Sequence, residues 1–203
     1  MLKYVWDEKL SKEDRDEWNN LYQQLTKASS QIVIPRYHKL DSSGVIRLAI
    51  FTDATGVGWG GACAYLVQNG KSYLVACKAK LPPKQLRNKE LSVPKRELEA
   101  LVIGAKMYAK LRDTYKDIYK LEPHIFSDSQ IVLNWACNKT KVNTFVDNRV
   151  KLFNKLVGNT PLHFIETDQN PADHISRGML ADDYLNPNHI LWTGPKIVHL
   201  KEI

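Results

Sequence analysis

Hydrophobic and polar positions along the chain separate predicted strands from predicted helices. The stretch VIRLAIFT at 45–52 is apolar on both faces and predicts a strand in the middle of a sheet. Two more strands are predicted at 59–67 and 72–79, joined by the hairpin signal VQNGKS. The segments HIFSD and LHFIET predict two further short strands.

The segments between these strands have the hydrophobic periodicity of helices. Apolar residues recur on one helical face over 95–112 and again over 144–157, and SQIVLNWACN is also helical in pattern. In NPADHISRGML, Asn170 is predicted as the N-cap of a last helix, with Pro171 at its first position. The order β-β-β-α-β-α-α-β-α predicts an α/β domain, a mixed sheet with helices packed against it.

The N-terminal part of the chain follows a different pattern. Residues 7–27 predict a polar helix with a narrow apolar stripe, and the proline and Ser-Ser-Gly turn that follow indicate a boundary near residue 42. We therefore expect an N-terminal connection-like segment at 1–42, an α/β domain at 43–180 and a C-terminal tail at 181–203.

Composition limits the classes of protein that need considering. Hydrophobic residues make up 43% and charged residues 25%, as in globular domains with a core, and no apolar run is long enough to cross a membrane. The three cysteines Cys63, Cys77 and Cys137 have no CxxC spacing, so we expect reduced core thiols in an intracellular protein. A net charge of +7 fits a polyanionic partner but is weak evidence alone.

Four acidic residues stand where strands end or helices begin. Asp53 and Asp128 end the first and fourth predicted strands, while Glu97 and Asp173 lie in the first turns of helices. If the two strands are parallel neighbours, their acids meet at the edge where open α/β sheets bind ligands. Four clustered carboxylates repel one another, and two divalent cations would balance them and provide two-metal phosphoryl-transfer chemistry.

Each acid also has an ordinary structural interpretation. Asp53 could begin a turn, and Asp128 could cap the helix that follows it. Glu97 could be a helix-surface acid, and Asp173 could simply favour the positive end of a helix dipole. Local sequence leaves these alternatives open for each residue alone, and only the convergence of all four favours a chemical site.

Four motifs in order carry a family resemblance. FTDAT, PKREL, FSDSQIVLNW and NPADHISRG resemble the Asp-Glu-Asp-Asp signature of ribonuclease H domains. More narrowly, the chain resembles the ribonuclease H region of a BEL/Pao-type LTR retrotransposon Pol polyprotein, since FVDNRV and LWTGP are similar to its flanking motifs. The N-terminal segment is similar to the one that joins reverse transcriptase to ribonuclease H there. The resemblance implies a ribonuclease H-like fold with a five-stranded mixed sheet.

The resemblance also implies an activity. It implies an endonuclease that hydrolyses the RNA strand of RNA–DNA hybrids with two Mg²⁺ or Mn²⁺ ions, leaving 5′-phosphate and 3′-hydroxyl ends. Asp53, Glu97, Asp128 and Asp173 match the catalytic metal ligands. The implied partner is the reverse transcriptase part of the same polyprotein, in the cytoplasm or within virus-like particles. The loop before Asp173 lacks the histidine that many members carry, and we expect a structural role for the adjacent His174.

Nucleic-acid contacts are expected around these acids. Ser129 and Gln130 match positions that approach the minor groove of the hybrid in related enzymes, with helix capping as the alternative for Ser129. Arg149 shares a helical face with apolar residues, so covering the core is its alternative role. Trp59 and Trp135 are predicted to lie in the core. The candidates for phosphate contacts are basic side chains, each with a solvated surface role as its alternative: Lys95, Arg96, Lys139, Lys141, Arg149 and Arg177.

Two other functions compete with this hypothesis. A catalytically silent module of the same fold, structural or host-domesticated, could bind nucleic acid or protein, although a scaffold gains nothing from clustered like charges. A DNA-cutting integrase or transposase typically has the order Asp, Asp, Glu along its chain. Here the glutamate stands between the first two aspartates, which favours ribonuclease H.

Overall fold

A computed structural model describes residues 7–34, 38–55, 60–81, 91–137 and 142–199. The chain divides into two compact units. The first, here called the helical unit, comprises 1–36 with 179–187, and the second, the α/β unit, comprises 37–178 with 188–203. The domain boundaries near residues 42 and 180 remain predictions from the sequence.

The helical unit is built on one long helix and one short one. Helix α1 spans Lys12–Gln31, and Ser11 caps it by accepting a hydrogen bond from the Asp14 backbone N–H. The Lys27 ammonium lies 2.7 Å from the carboxylate of Asp182, which belongs to the short helix Ala181–Leu185. The apolar stripe of α1 is largely exposed, and Ala28 and Ala181 are the buried apolar residues among the described part of this unit.

The α/β unit contains a five-stranded mixed sheet, as predicted. Its strand order is β3-β2-β1-β4-β5; β2 is antiparallel to both β1 and β3, whereas β4 is parallel to both β1 and β5. The first and fourth strands are therefore the parallel neighbours on which the predicted acidic site depends. The strands span Val45–Ala54 (β1), Gly60–Gln68 (β2), Lys71–Lys80 (β3), Lys120–Ser127 (β4) and Leu162–Phe164 (β5).

The hairpin between β2 and β3 has the predicted two-residue turn. Asn69 and Gly70 have φ angles of 53° and 74°, the left-handed region that a type I′ turn requires at both positions. Asparagine and glycine are the residues that reach this region most easily, so the VQNGKS signal was sufficient to place the turn.

Helices lie between and after these strands, in the order that the periodicity predicted. The last of the predicted helices begins at Asp173 rather than at Pro171, because Pro171 and Ala172 form a turn. The helices of the α/β unit are α2 (Val93–Tyr115), α3 (Gln130–Cys137), α4 (Thr144–Val157) and α5 (Asp173–Arg177); α6 (Ala181–Leu185) belongs to the helical unit, and α7 (Ile190–Thr193) and the 3₁₀ turns Thr167–Gln169 and Lys196–His199 complete the described part.

Strand β1 is buried on both faces, as its apolar sequence predicted. Ile46, Leu48 and Ile50 belong to the cluster shared with α2 and α4, whereas Ala49 and Phe51 pack in the cluster on the opposite face. Helix α2 comes very close to this strand at Gly104, where a Cβ atom would overlap the Thr52 side chain. The close approach brings the N-terminal turn of α2 to the end of β1.

Two predictions about the core need correction or qualification. Cys63 is buried, but Cys77 and Cys137 are exposed, because Cys77 lies on the edge strand β3 and Cys137 ends α3. Trp135 packs against the core, whereas Trp59 lies outside the described residues. Among the helices described, none is both long and apolar enough to cross a membrane.

Candidate active site

The parallel pairing of β1 and β4 brings two acids together. Thr52 pairs with Ser127, so Asp53 and Asp128 follow as neighbours at the carboxyl end of both strands. Asp53 is only 3% exposed, and Asp128 is half-buried. This is the edge of the sheet at which the sequence predicted the site.

Helix α2 contributes the third acid. The N-cap of this helix is Ser92, Pro94 lies in its first turn, and Glu97 follows in the next turn with 8% of its surface exposed. The ligand atoms of Asp53, Glu97 and Asp128 all lie within 4.8 Å of one another, so the three carboxylates could hold a metal ion. The buried position of Glu97 excludes the alternative that it is a plain helix-surface acid.

Asp173 lies beside this cluster but is engaged differently. Its Oδ1 atom is 2.5 Å from Nε of Arg177, one turn along α5. The charge of Asp173 still acts on Asp53, whose pKa it helps to raise. The structure thus brings three predicted acids together and places the fourth next to them, paired with a cation.

Burial dominates the electrostatics of the site. It raises the pKa of Glu97 to about 8, with the charges of Asp53 and Asp128 adding to the effect and the Ala54 backbone N–H and Arg177 opposing it. Burial also raises the pKa of Asp53, while a hydrogen bond from the Ser176 hydroxyl favours its ionised form. Without cations the cluster therefore retains a proton at neutral pH.

The oxygen atoms of the cluster fit a divalent cation. Oε2 of Glu97 and Oδ1 of Asp128 are buried and accept no hydrogen bond from any residue that the structure describes. Unpaired buried acceptors are costly, and a bound cation would remove that cost. Carboxylate oxygens are the ligands of hard ions such as Mg²⁺ and Mn²⁺.

The predicted nucleic-acid contacts have mixed surroundings. Ser129 is half-buried just before α3, and Gln130 is exposed at its first position. Lys95 and Arg96 are half-buried in the first turn of α2, and the Lys95 ammonium lies 5.6 Å from the ring centroid of Phe145. Lys139 and Lys141 lie outside the described residues.

Arg149 is held by neighbouring protein groups. Its guanidinium pairs with Glu99 and stacks on the Phe145 ring at 3.4 Å from the centroid. Phe145 itself packs against the core, which favours the predicted alternative that Arg149 covers apolar surface. The predicted structural role of His174 agrees with its edge-on packing against His189.

Sequence reasoning missed the roles of two polar residues near the acids. Ser176 donates its hydroxyl to Asp53, and Asn170 donates its side-chain N–H to the Thr52 carbonyl while its side-chain oxygen accepts from the Ala172 N–H in the turn before the helix. The predicted N-cap assignment of Asn170 is wrong in this respect, because the helix starts three residues later. The available signal for Ser176 was its spacing of three residues from Asp173, which places both on one helical face.

The sheet order and the acidic cluster define a ribonuclease H-like α/β domain. Residues 1–129 match the family model described as "Pao retrotransposon-like RNaseH-like domain", and the chain belongs to this family. The comparison with curated proteins found no match.

Several solved structures are similar at low identity. RNase H1 from the halophilic archaeon Halobacterium salinarum NRC-1 is 14% identical, with 65% of this chain and 94% of that chain covered and a TM-score of 0.46. LC11-RNase H1 in complex with an RNA/DNA hybrid is 16% identical, with 70% and 99% covered and a TM-score of 0.46. A foamy viral protease-reverse transcriptase in complex with double-stranded DNA is 12% identical, with 78% and 27% covered and a TM-score of 0.41.

Proposed function

We propose that this chain is a metal-dependent endonuclease that hydrolyses the RNA strand of RNA–DNA hybrids and serves the reverse transcription of a retroelement. The observation that carries the proposal is the cluster of Asp53, Glu97 and Asp128, whose ligand atoms lie within 4.8 Å of one another at the carboxyl end of β1 and β4. Membership of the Pao retrotransposon-like family supports it.

The proposed ligands of two Mg²⁺ or Mn²⁺ ions are Asp53, Glu97, Asp128 and Asp173. Such a pair of ions, when bound, supplies a nucleophile from water at neutral pH and charge stabilisation for the leaving oxygen. Asp53 lies in β1 and Asp128 directly follows β4, so the paired strands place both residues at one edge of the sheet. Glu97 would have to lose its proton to serve as a ligand, and Asp173 would have to leave its ion pair with Arg177.

Substrate contacts are proposed around the same edge of the sheet. Ser129 and Gln130, which directly follow Asp128, would meet the minor groove and read a ribose 2′-hydroxyl, the group that distinguishes RNA from DNA. Lys95, Arg96 and Arg177 would contact phosphates. Arg149 would support this surface indirectly, since its guanidinium already binds Glu99.

The proposed organisation follows the sequence prediction. Residues 43–180 would form the catalytic domain, and 181–203 would be a tail. Residues 1–42 would connect it to the reverse transcriptase part of the same polyprotein, its proposed partner. Support comes from the family match, which includes residues 1–42 as well as the first three acids.

The test is cleavage of a labelled RNA–DNA hybrid by the purified chain. We expect cleavage with Mg²⁺ or Mn²⁺, none with EDTA, and none of double-stranded RNA or double-stranded DNA. Asp128→Asn should lower the rate by a factor on the order of 10³, because it removes a ligand of the ions that stabilise the transition state. Asp117→Asn, at an exposed acid in the turn after α2, is the matched control and should retain the wild-type rate.

Two results would contradict the proposal. Cleavage by Asp128→Asn at the wild-type rate would remove Asp128 from the site. A folded wild-type chain that binds the hybrid but leaves it intact at millimolar metal would favour the silent module.

A further inference from the structure

Two hydrogen bonds connect the segment that carries Asp173 to β1, at the consecutive strand residues Thr52 and Asp53. Asn170 donates its side-chain N–H to the Thr52 carbonyl over 3.0 Å, and the Ser176 hydroxyl donates to the Asp53 carboxylate. Asn170 is 1% exposed and Ser176 5% exposed, so both contacts are shielded from water. Asp173 stands midway between them in the chain.

Both residues also contact polar atoms of their own segment. The Asn170 side-chain oxygen accepts a hydrogen bond from the Ala172 backbone N–H over 3.1 Å. The Ser176 hydroxyl lies 3.1 Å from the Asp173 backbone carbonyl. The Asn170 bond closes the turn before α5, and the position of the Ser176 hydroxyl places the Asp173 carbonyl beside the Asp53 carboxylate as a second acceptor near its single hydrogen.

Strand β2 packs closely against the segment that carries Asp173. Gly61 pairs with Asp53 across β1 and β2. A Cβ atom at Gly61 would lie 2.9 Å from the backbone nitrogen of Ser176 and 3.0 Å from a side-chain carbon of Ile175, closer than ordinary contacts allow. Helix α5 therefore rests directly on the backbone of β2, next to Asp53.

We propose that Asn170 and Ser176 are positioning residues. They hold α5 in a fixed position relative to β1, so that Asp53 and Asp173 face the same cations. This inference rests on the proposed function, since it assigns a role in that site. Neither residue has to touch the substrate or a cation. The hydroxyl of Ser176 binds one oxygen of Asp53 and orients the carboxylate.

A merely structural role makes a different prediction. If the two hydrogen bonds only stabilise the fold, their loss lowers the melting temperature but leaves the metal affinity of the folded protein unchanged. If they position ligands, the metal affinity falls while the protein is still folded. Loss of such outer hydrogen bonds typically weakens metal binding by about 10–100-fold.

The experiment measures Mn²⁺ binding to the full chain by electron paramagnetic resonance, below the melting temperature of every variant. We expect Ser176→Ala to raise the Mn²⁺ dissociation constant by about tenfold. Ser176→Cys, whose thiol is somewhat larger than the hydroxyl and only a weak donor, should behave like Ser176→Ala. The half-saturating Mn²⁺ concentration for hybrid cleavage should rise by the same factor, with the KM for the hybrid within about twofold of wild type.

Control variants of the same residue types remove hydrogen bonds at more exposed places in the α/β unit. Ser72→Ala removes a serine bond to the Thr193 carbonyl, and Asn154→Ala removes an asparagine bond to the Ala136 carbonyl. Both should keep the wild-type Mn²⁺ affinity. Asn170→Ala should resemble Ser176→Ala, and if it does not fold, the two Ser176 variants decide the question.

The outcomes separate this inference from the proposed function. Wild-type Mn²⁺ affinity in folded Ser176→Ala, or in Ser176→Cys alone, overturns the positioning role even if the wild-type chain cleaves the hybrid. Weakened Mn²⁺ binding in the Ser176 variants supports the role even if no chain cleaves the hybrid, which would overturn the nuclease proposal alone. A wild-type chain that binds no Mn²⁺ overturns both.

Discussion

At Glu97, burial and the neighbouring negative charges act together against ionisation. The side chain is 8% exposed, next to Asp53 and Asp128, and its pKa is raised to about 8. An ordinary glutamate would be ionised across the whole physiological range. The raised value means that the metal-free protein keeps Glu97 protonated at pH 7, and that metal binding is linked to proton release.

The pH dependence of stability follows from this residue. In the folded protein Glu97 holds its proton up to about pH 8, whereas in the unfolded chain it releases the proton near its ordinary value of 4.5. The unfolded state therefore binds fewer protons, so the free energy of unfolding falls as the pH rises from about 4.5 to 8. Asp53, whose pKa is also raised, acts in the same direction.

Chemical denaturation in EDTA at several pH values measures this effect. We expect Glu97→Gln to be more stable than wild type at pH 8 by a few kcal/mol, with about 5 kcal/mol as the upper bound at 1.36 kcal/mol for each pH unit. The control is Glu166→Gln, at an exposed acid of the same unit. Equal slopes with pH for wild type and Glu97→Gln would show that Glu97 ionises normally.

Arg177 is the second residue whose charge sets the behaviour of the site. It pairs with Asp173, and its charge opposes the rise in the pKa of both Asp53 and Glu97, so in the absence of metal it partly balances the carboxylates. The same positive charge would repel a metal cation, and the ion pair with Asp173 would compete with metal binding by that carboxylate. Removing it should therefore tighten metal binding and destabilise the metal-free protein.

Arg177→Gln tests this competition. We expect its Mn²⁺ dissociation constant to fall by about fivefold, which corresponds to about 1 kcal/mol for charges at close range in a solvent-exposed setting. Isothermal titration calorimetry would measure the constant, with Arg112→Gln as the control because its ion pair with Asp113 is exposed and lies at the far end of α2. Weaker Mn²⁺ binding in Arg177→Gln would show that the guanidinium assists the cations.

At the scale of elements, the sequence predicted the strands and helices of the α/β unit because their signals are local. Apolar residues on both faces predicted β1 as a central strand, and the pair Asn69-Gly70 predicted the hairpin turn. The position of Asp53 and Asp128 followed from one topological assumption, that their strands are parallel neighbours. Elements whose identity depends on short-range pattern are thus predictable, together with any site that their ends define.

Contacts between distant segments were not predictable in this way. Asn170 has the residue type and spacing of a helix cap, and only its proximity to Thr52 in the fold gives the side chain a second, distant partner. The pairing of Asp173 with Arg177 instead of with the other acids depends on competing charges. Cys77 is exposed because β3 is an edge strand. The apolar residues around Cys77 in the sequence did not reveal that position.

Gly104 connects the packing of α2 with the site. Alanine there would gain helix propensity of up to about 1 kcal/mol, but its Cβ would overlap the side chain of Thr52, the residue before Asp53. We expect Gly104→Ala to destabilise the protein by about 1–3 kcal/mol in chemical denaturation, the usual cost of overpacking. Lys106→Ala, at an exposed position of the same helix, is the control. A stabilised Gly104→Ala protein would show that α2 can move away from β1 without cost.

At the scale of the whole molecule, the core and the candidate site lie in one of the two units. Both hydrophobic clusters and all four acids belong to the α/β unit, which comprises 37–178 and 188–203. In the described part of the helical unit, Ala28 and Ala181 are the buried apolar residues, so little free energy from burial is available to it. The α/β unit should therefore fold and cleave without the N-terminal helix.

A chain beginning at Tyr37 tests this expectation. It keeps the sheet, the helices packed on it and every proposed ligand, while it loses α1. We expect one cooperative unfolding transition with a melting temperature within about 5 °C of the full chain, since that interval corresponds to roughly 1–2 kcal/mol for a domain of this size. The rate of hybrid cleavage at saturating Mg²⁺ should stay within about twofold, a difference of less than about 0.5 kcal/mol in the barrier. If the shortened chain unfolds or loses cleavage while the full chain keeps both, residues before 37 contribute to the folded enzyme, and the α/β unit would not be an independent domain.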